Sequence, residues 1–517
     1  MPRVERTIGG LRGNSRSPGA SATTIRSIFA SFRHPSAAAE SPRRPGAGAS
    51  RPLPGRWVVG AALAAVAVGA AAAVDPVVAA ALAAACLLGI GLVLRPVLIL
   101  PTLVVSVFVE ILNIQGVTIS RLVAPVALLV VLVAASRDRF ALVGSTHLLW
   151  AGGYIVWALA SAFWTVDGGD TAYQLGSLAI ALVFMLAFAT MLRTQRDLER
   201  VSLTIAFAAL GMGVFAIAAF FEGVSWDLES GRTAGGAGDP NYFAAYQVVA
   251  LPVVLALTGL VRRQALRLTL YAAAAVIIIS IFTSVSRGGL VALVAVVLLT
   301  FALPARTVFR SRPQKLALAA VVLVGSVLAY QAAATELAPR IDALLGGDTT
   351  GTGRTGLWKA GLTSIGERPV LGLGYGGFPS SVNDLILRTP GVDLRHYELR
   401  PNGQEAHSLY VSTTADLGIP GLVLLLGLLV STGRSLRTTA RRAAARGNLY
   451  VSRMSNAFLL SLVGFAVASL FLSTETSRAL WILVGLAVSL PRLLDEPAPA
   501  TSRAAPAGAA VVRPGLA

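Results

Sequence analysis

The feature that most constrains this fold is a repeated run of apolar residues, each about 18 to 22 long. A helix of that length crosses roughly 30 Å of hydrocarbon, because each residue adds about 1.5 Å of rise. The runs begin near Trp57 and recur almost to the end of the chain, in which 55% of residues are hydrophobic and only 13% are charged. A soluble core needs no such repeated length, so the sequence predicts an integral membrane protein.

We expect an all-α, polytopic transmembrane helical bundle of about 12 to 14 spans. The predicted spans are 57–74, 77–94, 96–112, 120–135, 146–164, 173–192, 200–221, 242–261, 267–285, 288–303, 315–333, 408–431, 455–472 and 478–491. Pro101 and Pro125 interrupt the third and fourth spans, which could instead form a re-entrant pair.

The two ends of the chain differ from this apolar body. Residues 1–56 and 494–517 are rich in Arg, Pro and Ala and have too little apolar surface to offset the entropy of ordering. We therefore expect two disordered, basic cytoplasmic tails. Between them, the domains are the transmembrane helices of 57–333, a large extracytoplasmic loop at 334–407, and the C-terminal transmembrane helices of 408–493.

The distribution of charge predicts the orientation of the spans. With the N-terminus in the cytoplasm, most of the 43 Lys and Arg residues lie inside and most of the 25 Asp and Glu residues lie outside. This asymmetry also explains the net charge of +18, so no nucleic-acid partner is expected. The 222–241 loop, the short turn at 286–288 and the long loop then share the extracytoplasmic face.

Three arginines on that face are candidates for binding an anion. Arg354 could be a solvated loop residue, but it precedes an apolar-spaced segment that is typical of an amphipathic helix lying along the membrane surface. Arg287 lies between two apolar spans, where a charge is costly, so a functional role is the default and snorkelling the alternative. Arg232 precedes a glycine-rich stretch. A guanidinium can bind a lipid-linked phosphate through two parallel hydrogen bonds.

Other polar residues near these arginines have both structural and functional interpretations. Asp239 can cap the following helix, with Pro240 in its first turn. His407 could be a structural residue near a helix start, but an imidazole with an ordinary pKa near about 6.5 also suits proton transfer. Glu405 is an alternative proton acceptor. The histidines lack the spacing of metal ligands, so we expect a metal-independent site without a cofactor.

Two glycine-rich stretches, at 351–356 and 372–377, match the spacing G-x-G-x-x-G. A dinucleotide site also needs a preceding strand in a βαβ unit, and the sequence pattern predicts no such unit here. The glycines more plausibly allow tight turns or a close approach of the backbone to a ligand.

Four motifs in order resemble the bacterial O-antigen ligase and O-antigen polymerase superfamily. They are the segment from Arg232 to D-P-N at 239–241, S-R-G at 286–288, G-R-x-x-x-W at 353–358 with P-x-x-G-x-G and Phe378, and H-S-L-Y at 407–410 with D-L-G-I-P-G at 416–421. Ser408 stands where an asparagine commonly follows the histidine, which leaves any role of that amide in doubt.

The resemblance implies a GT-C-like membrane glycosyltransferase that uses a polyprenyl-diphosphate-linked glycan, such as an undecaprenyl diphosphate, as donor. It implies that Arg232, Arg287 and Arg354 hold the diphosphate and that His407 acts near the acceptor hydroxyl. The expected substrate-binding residues are Trp358, Asp239, Asn241, Glu405 and Tyr410. The acceptor would be a lipid, a glycan or a protein.

Two further questions stay open at the level of sequence. The first is whether the reaction is ligation or polymerisation in surface-polysaccharide biosynthesis at the bacterial cytoplasmic (inner) membrane. The second is the class of protein, because a multi-span transporter of a small anion or solute is an alternative. A transporter favours charges near mid-membrane and an internal repeat, whereas the ionisable residues here lie mainly at span ends.

Overall fold

The computed structural model describes residues 89, 91–92, 94–110, 113–114, 117–137, 146–223, 233–309, 311–332, 354–392, 399–401 and 403–494. Both predicted tails, the first predicted span and Arg232 lie outside the described residues. So does most of the second predicted span.

The described residues form fifteen helices, numbered here in chain order. They are α1 (Ile99–Phe108), α2 (Ile119–Arg137), α3 (Thr146–Ala160), α4 (Gly168–Met191), α5 (Gln195–Phe221), α6 (Pro240–Leu260), α7 (Gln264–Thr283), α8 (Arg287–Ala302), α9 (Ala305–Val308), α10 (Arg312–Ala332), α11 (Arg354–Glu367), α12 (Phe378–Arg388), α13 (Leu409–Ala445), α14 (Leu449–Ala468) and α15 (Arg478–Ser489). Two short strands, Asn113–Ile114 and Val117–Thr118, pair antiparallel between α1 and α2.

The fold confirms the prediction of an all-α, polytopic membrane protein. Among the described residues, six helices are long and apolar enough to cross a membrane: α4, α5, α6, α7, α13 and α14. Helices α1, α2 and α8 are shorter and also apolar. Pro101 lies in the first turn of α1 and Pro125 lies inside α2, and the two helices are separate.

Helix α6 is the most enclosed of the six, with 83% of its apolar window buried. It packs against α5, α7, α8 and α14, while α13 packs against α3 and α14, and α15 against α4. Small residues allow these close approaches. At Gly464 in α14, for example, a Cβ atom would lie 2.8 Å from Val248 Cγ1 of α6.

The segments predicted to share one side of the membrane lie at the same end of the bundle. Glu110 and Arg478, both predicted outside, form a salt bridge of 3.0 Å, and Trp164 donates to the Leu371 carbonyl at 2.9 Å. We call this the loop end, where α6, α8 and α13 begin. We call the opposite end, where α6 and α8 finish among the arginines predicted inside, the basic end.

Candidate functional site

The site is organised by a break in α13 at Gly418, whose φ of 66° and ψ of −174° are not helical. A break leaves backbone carbonyls without helical partners, and these need other donors. Leu373 N donates to Ala415 O at 2.9 Å, and Gly374 N donates to Asp416 O at 2.9 Å. The glycine-rich segment, residues 369–378, therefore binds directly to the break.

The Asp416 side chain completes this attachment. It is 3% exposed, and its carboxylate accepts hydrogen bonds from Gly376 N at 2.9 Å and from Phe378 N at 2.8 Å. A buried charge is tolerated when it is hydrogen-bonded in this way. Asp416, which the sequence assigned only to a family motif, is thus a structural anchor for the segment that leads into α12.

The glycines of this segment approach other protein backbone rather than a nucleotide. Gly372, Gly374 and Gly376 have φ values of 69°, 94° and 79°, which favour glycine. A Cβ atom on Gly372 would lie 2.4 Å from Asp416 O, and one on Gly374 would lie 2.4 Å from Thr165 Cβ. The expected tight turns are present, and the close approach is to protein, with α13 and the turn after α3 as the neighbours.

Helix α11 is held in place by the glycine-rich segment that follows it. The predicted amphipathic helix is present, but its buried face, with Leu357 and Ala360, contacts α12 and α13. Gly361 allows the approach, because a Cβ atom there would lie 2.4 Å from Val411 Cγ1 of α13. The apolar spacing therefore reflects packing on protein, and it fixes the position of Arg354 at the start of the helix.

Trp358 joins α11 to the residues around His407. Its Nε1 donates to Ala406 O at 3.0 Å, and its ring centroid lies 6.3 Å from that of Phe471. Phe471 in turn packs on the start of α8, where a Cβ atom on Gly288 would lie 2.8 Å from Phe471 Cβ. Four segments that are distant in sequence thus meet at the loop end.

Arg287 is the first residue of α8, and the residues before it are tightly constrained. Ser286 caps the helix by accepting from Gly289 N at 3.2 Å, and its hydroxyl donates to Asn241 Oδ1 at 2.9 Å. Val285 has a φ of 51°, which is strained for a β-branched residue. The predicted substrate-binding Asn241 therefore contacts Ser286, and this contact fixes α8 against α6.

Asp239 has the cap geometry that its position predicted. Its carboxylate accepts from Asn241 N at 2.7 Å and from Tyr242 N at 2.9 Å at the start of α6. The interpretation of Asp239 as a helix cap is thus confirmed. The Asp239 carboxylate still affects neighbouring groups through its charge.

His407 and Glu405 lie directly before α13. His407 is half-buried, with a φ of 49° in the left-handed region, a conformation that costs energy and clusters at functional sites. The Glu405 side chain is accessible to solvent and has protein groups around it. Desolvation by these groups raises the pKa of Glu405 to about 7, the charge of Asp239 raises it further, and the Ser473 hydroxyl acts in the opposite direction.

Tyr410 uses its hydroxyl within the bundle. It donates to Ala466 O of α14 at 2.8 Å, so the structure gives this predicted substrate-binding residue a role in joining α13 to α14. Trp358, Glu405 and His407 come together, whereas Asn241 and Tyr410 are engaged with the bundle.

Sequence reasoning missed the α14–α15 turn, residues 469–477, and assigned its first four residues to the predicted span 455–472. Ser469 O accepts from Leu409 N at 2.9 Å, and Ser473 O accepts from the Tyr242 hydroxyl. Burial raises the pKa of Glu475 to about 8, the neighbouring Ser412 hydroxyl lowers it, and Glu405 raises it further. The signal in the sequence was an acidic residue directly beside an apolar span.

Residues 272–426 match a family model described as O-antigen ligase. This part of the chain is similar to the O-antigen ligase family. The matched residues include Arg287, Arg354, Trp358, Glu405, His407 and Tyr410, whereas Asp239, Asn241 and the α14–α15 turn lie outside the match. The search of curated proteins gave no match.

This family match, with the long apolar helices, makes the chain a multi-pass membrane protein and supports a ligase-type enzyme. It supports a role as a membrane glycan ligase or polymerase, as the sequence motifs predicted. A lipid-linked glycan, an acceptor and the lipid bilayer are the partners that the family implies.

Proposed function

We propose that the chain is a metal-independent glycosyltransferase of surface-polysaccharide biosynthesis. Its donor is a glycan on a polyprenyl diphosphate, and its loop end faces the extracytoplasmic side of the bacterial inner membrane. Arg232, Arg287 and Arg354 hold the diphosphate, and His407 or Glu405 receives the proton of the acceptor hydroxyl.

The observation that carries the proposal is that Arg287 is the first residue of α8 and that Arg354 is the first described residue of α11. The N-terminus of a helix bears a partial positive charge, so a cation there is unfavourable on its own. A diphosphate reverses this penalty, because the guanidinium groups attract it. The placement favours binding of a multiply charged anion.

The proposed reaction follows from this charge arrangement. The oxygen of an acceptor hydroxyl forms a bond to the anomeric carbon while the bond from that carbon to the diphosphate oxygen breaks, and the electron pair leaves with the diphosphate. Guanidinium groups aimed at the leaving oxygen stabilise the charge that develops there. The hydroxyl proton passes to the His407 imidazole or to the Glu405 carboxylate.

The geometry before α13 suits this proton transfer. Glu405 is accessible, and its pKa of about 7 lets it exist in both protonation states near neutral pH. His407 lies two residues further along the chain. The intervening Ala406 carbonyl oxygen accepts a hydrogen bond from Trp358 Nε1 at 3.0 Å. The base is therefore positioned by α11, the same helix that presents Arg354.

Transfer by the purified full-length chain in nanodiscs tests the proposal, with a polyprenyl-diphosphate-linked oligosaccharide as donor. We expect product with the wild type and loss of product with Arg354→Ala. Arg388→Ala is the matched control, because Arg388 lies on α12 beside the end of α11 that is far from Arg354, where it forms an exposed pair with Glu367 at 3.2 Å. Full activity of Arg354→Ala would remove that residue from the site.

Two further results separate the remaining alternatives. Solute uptake by vesicles that contain only this protein, without any glycan transfer, would favour a transporter and would reject the proposed enzyme.

The second result comes from cells that lack the gene. Long lipid-linked chains accumulate there if the reaction is ligation, and single lipid-linked units accumulate if it is polymerisation. The acceptor, whether lipid, glycan or protein, follows from the product.

A further inference from the structure

The α14–α15 turn contacts both of the charged regions of the loop end. On one side, Phe471 packs between Trp358 and Gly288, beside the helix starts that carry Arg354 and Arg287. Further along the turn, Ser473 O accepts from the Tyr242 hydroxyl at the start of α6. The turn therefore lies between a cationic region and the region of Asp239 and Glu405.

Acidic residues from three separate segments interact at the second region. Asp239 raises the pKa of Glu405, and Glu405 raises the pKa of Glu475. The three carboxyl groups are thus within electrostatic reach of one another. Asp239 is already engaged as a helix cap, so Glu405 and Glu475 are the members of the group that can bind something else.

Two polar atoms of the turn have unused hydrogen-bonding capacity. Within the described part of the chain, Glu475 Oε1 and Ser473 Oγ are buried and have no hydrogen-bond partner. Ser473 is 8% exposed. Buried polar atoms are nearly always satisfied in folded proteins, so two such atoms beside the accessible Glu405 indicate a place for a polar ligand.

The charge of this region decides the chemistry of that ligand. Carboxyl groups offer a phosphate no positive charge, whether they are ionised or protonated, whereas sugar hydroxyl groups donate hydrogen bonds to carboxyl oxygens and accept them from protonated carboxyl groups and from Ser473. A polyhydroxylated molecule, that is, a sugar, is the class of ligand whose groups match the hydrogen-bonding groups of these residues. The opposite, cationic region is suited to a phosphate.

We propose that Ser473 and Glu475 form a hydroxyl-binding subsite that holds the acceptor sugar beside the diphosphate region. This inference rests on the proposed function and adds a class of acceptor to it. The bound sugar presents its hydroxyl to the anomeric carbon of the donor, and Glu475 acts by holding that sugar, while the proton goes to His407 or Glu405.

Glu475→Gln in the full chain tests this subsite, with Ser473→Ala as a second variant in case the first does not fold. Glu222→Gln is the matched control, because Glu222 is an exposed carboxylate at the end of α5, also at the loop end. Three quantities are measured: binding of sugar-free polyprenyl diphosphate, transfer from the lipid-linked oligosaccharide, and its release to water.

We expect Glu475→Gln and Ser473→Ala to bind sugar-free polyprenyl diphosphate as wild type does, and to transfer about tenfold more slowly or worse, because hydrogen bonds to a sugar hydroxyl are lost. Release of glycan to water continues, since water needs no subsite. The Glu222→Gln control behaves as wild type.

Equal transfer by wild type and both variants would overturn the subsite. Equal losses of transfer and of release to water would also overturn it, because they would place the donor sugar at these residues. A loss of diphosphate binding would overturn it as well. Absence of transfer by the wild type would instead reject the proposed function, so the two failures are distinguishable.

Discussion

The two ends of the bundle use arginine in opposite ways. At the basic end, arginines donate hydrogen bonds to carbonyl oxygens where helices finish. The pairs are Arg267 to Val261 O at 3.2 Å, Arg453 to Gly259 O at 3.1 Å and Arg492 to Ala189 O at 2.7 Å. At the loop end, Arg287 and Arg354 stand where helices begin.

Helix electrostatics gives these positions different consequences. The last carbonyls of a helix carry partial negative charge and lack helical donors, so a cation there stabilises the fold. The first residue of a helix repels a cation. An arginine at the basic end therefore contributes to stability, whereas one at the loop end is placed where a bound anion favours it.

The largest effect that tests this contrast is expected for Arg287→Ala. Glycan transfer should fall by about 10²- to 10³-fold, because a group that stabilises the leaving charge is removed. The melting temperature should change less than on loss of an arginine of the basic end, since a helix N-terminus does not favour a cation. Initial rates and thermal unfolding of the detergent-purified variant measure both quantities, and a destabilised variant with normal specific activity would contradict the contrast.

The next largest effect concerns the break in α13, on which the geometry of the loop end depends. Gly418→Ala places a Cβ atom 2.1 Å from Val370 O at a backbone conformation that other residues avoid. We expect a loss of stability of at least about 1 to 3 kcal/mol together with a loss of transfer. Gly366→Ala is the control, because its Cβ atom would meet nothing within 4 Å.

For the basic end, Arg453→Met is expected to have a smaller and purely structural effect. The substitution keeps an apolar stem but removes the donor to Gly259 O from a residue that is 9% exposed. The free energy of unfolding should fall by about 1 to 3 kcal/mol. Specific activity per folded molecule should be retained; if transfer is lost while unfolding is unchanged, the basic end has a functional role.

The smallest expected effect is the contribution of the Glu405 titration to the pH dependence of protein stability. The arginines of the basic end make no such contribution. Its pKa is raised from 4.5 to about 7, so between these values the folded state binds more protons than the unfolded state. The free energy of unfolding therefore falls as the pH rises through that window. Melting temperatures of wild type and Glu405→Gln across the window should converge at its acidic limit.

The same titration affects activity with the opposite sign. Only the charged Glu405 can accept a proton, so transfer should rise as the pH approaches and passes about 7 if Glu405 is the base. A rising limb that persists in Glu405→Gln and disappears in His407→Gln would assign the proton to the imidazole.

Much of the fold could be predicted because membrane insertion is encoded locally. Run length predicts the spans, and each predicted span from the third to the fourteenth contains a helix of the structure. The Asp-Pro-Asn sequence predicted the start of α6 and the cap by Asp239. The apolar spacing after Arg354 predicted α11, although its partner is protein rather than the membrane surface.

The composition of the site could be predicted only in part. Motifs indicated Arg287, Trp358 and His407, and charge asymmetry predicted that they share one side. Sequence alone did not indicate that Asp416 accepts hydrogen bonds from the glycine-rich segment, because these residues are about 40 positions apart and only a tertiary contact relates them.

The sequence by itself determined that this chain is a bundle of membrane helices with its polar segments grouped by charge, since hydrophobic length and the positions of Lys and Arg are local properties. Only the tertiary structure decided which polar residues meet. The break at Gly418 exposes backbone carbonyls that the glycine-rich segment must satisfy, and that pairing positions α11. The packing of Phe471 between Trp358 and Gly288 then brings the α14–α15 turn, with Glu475, into the site.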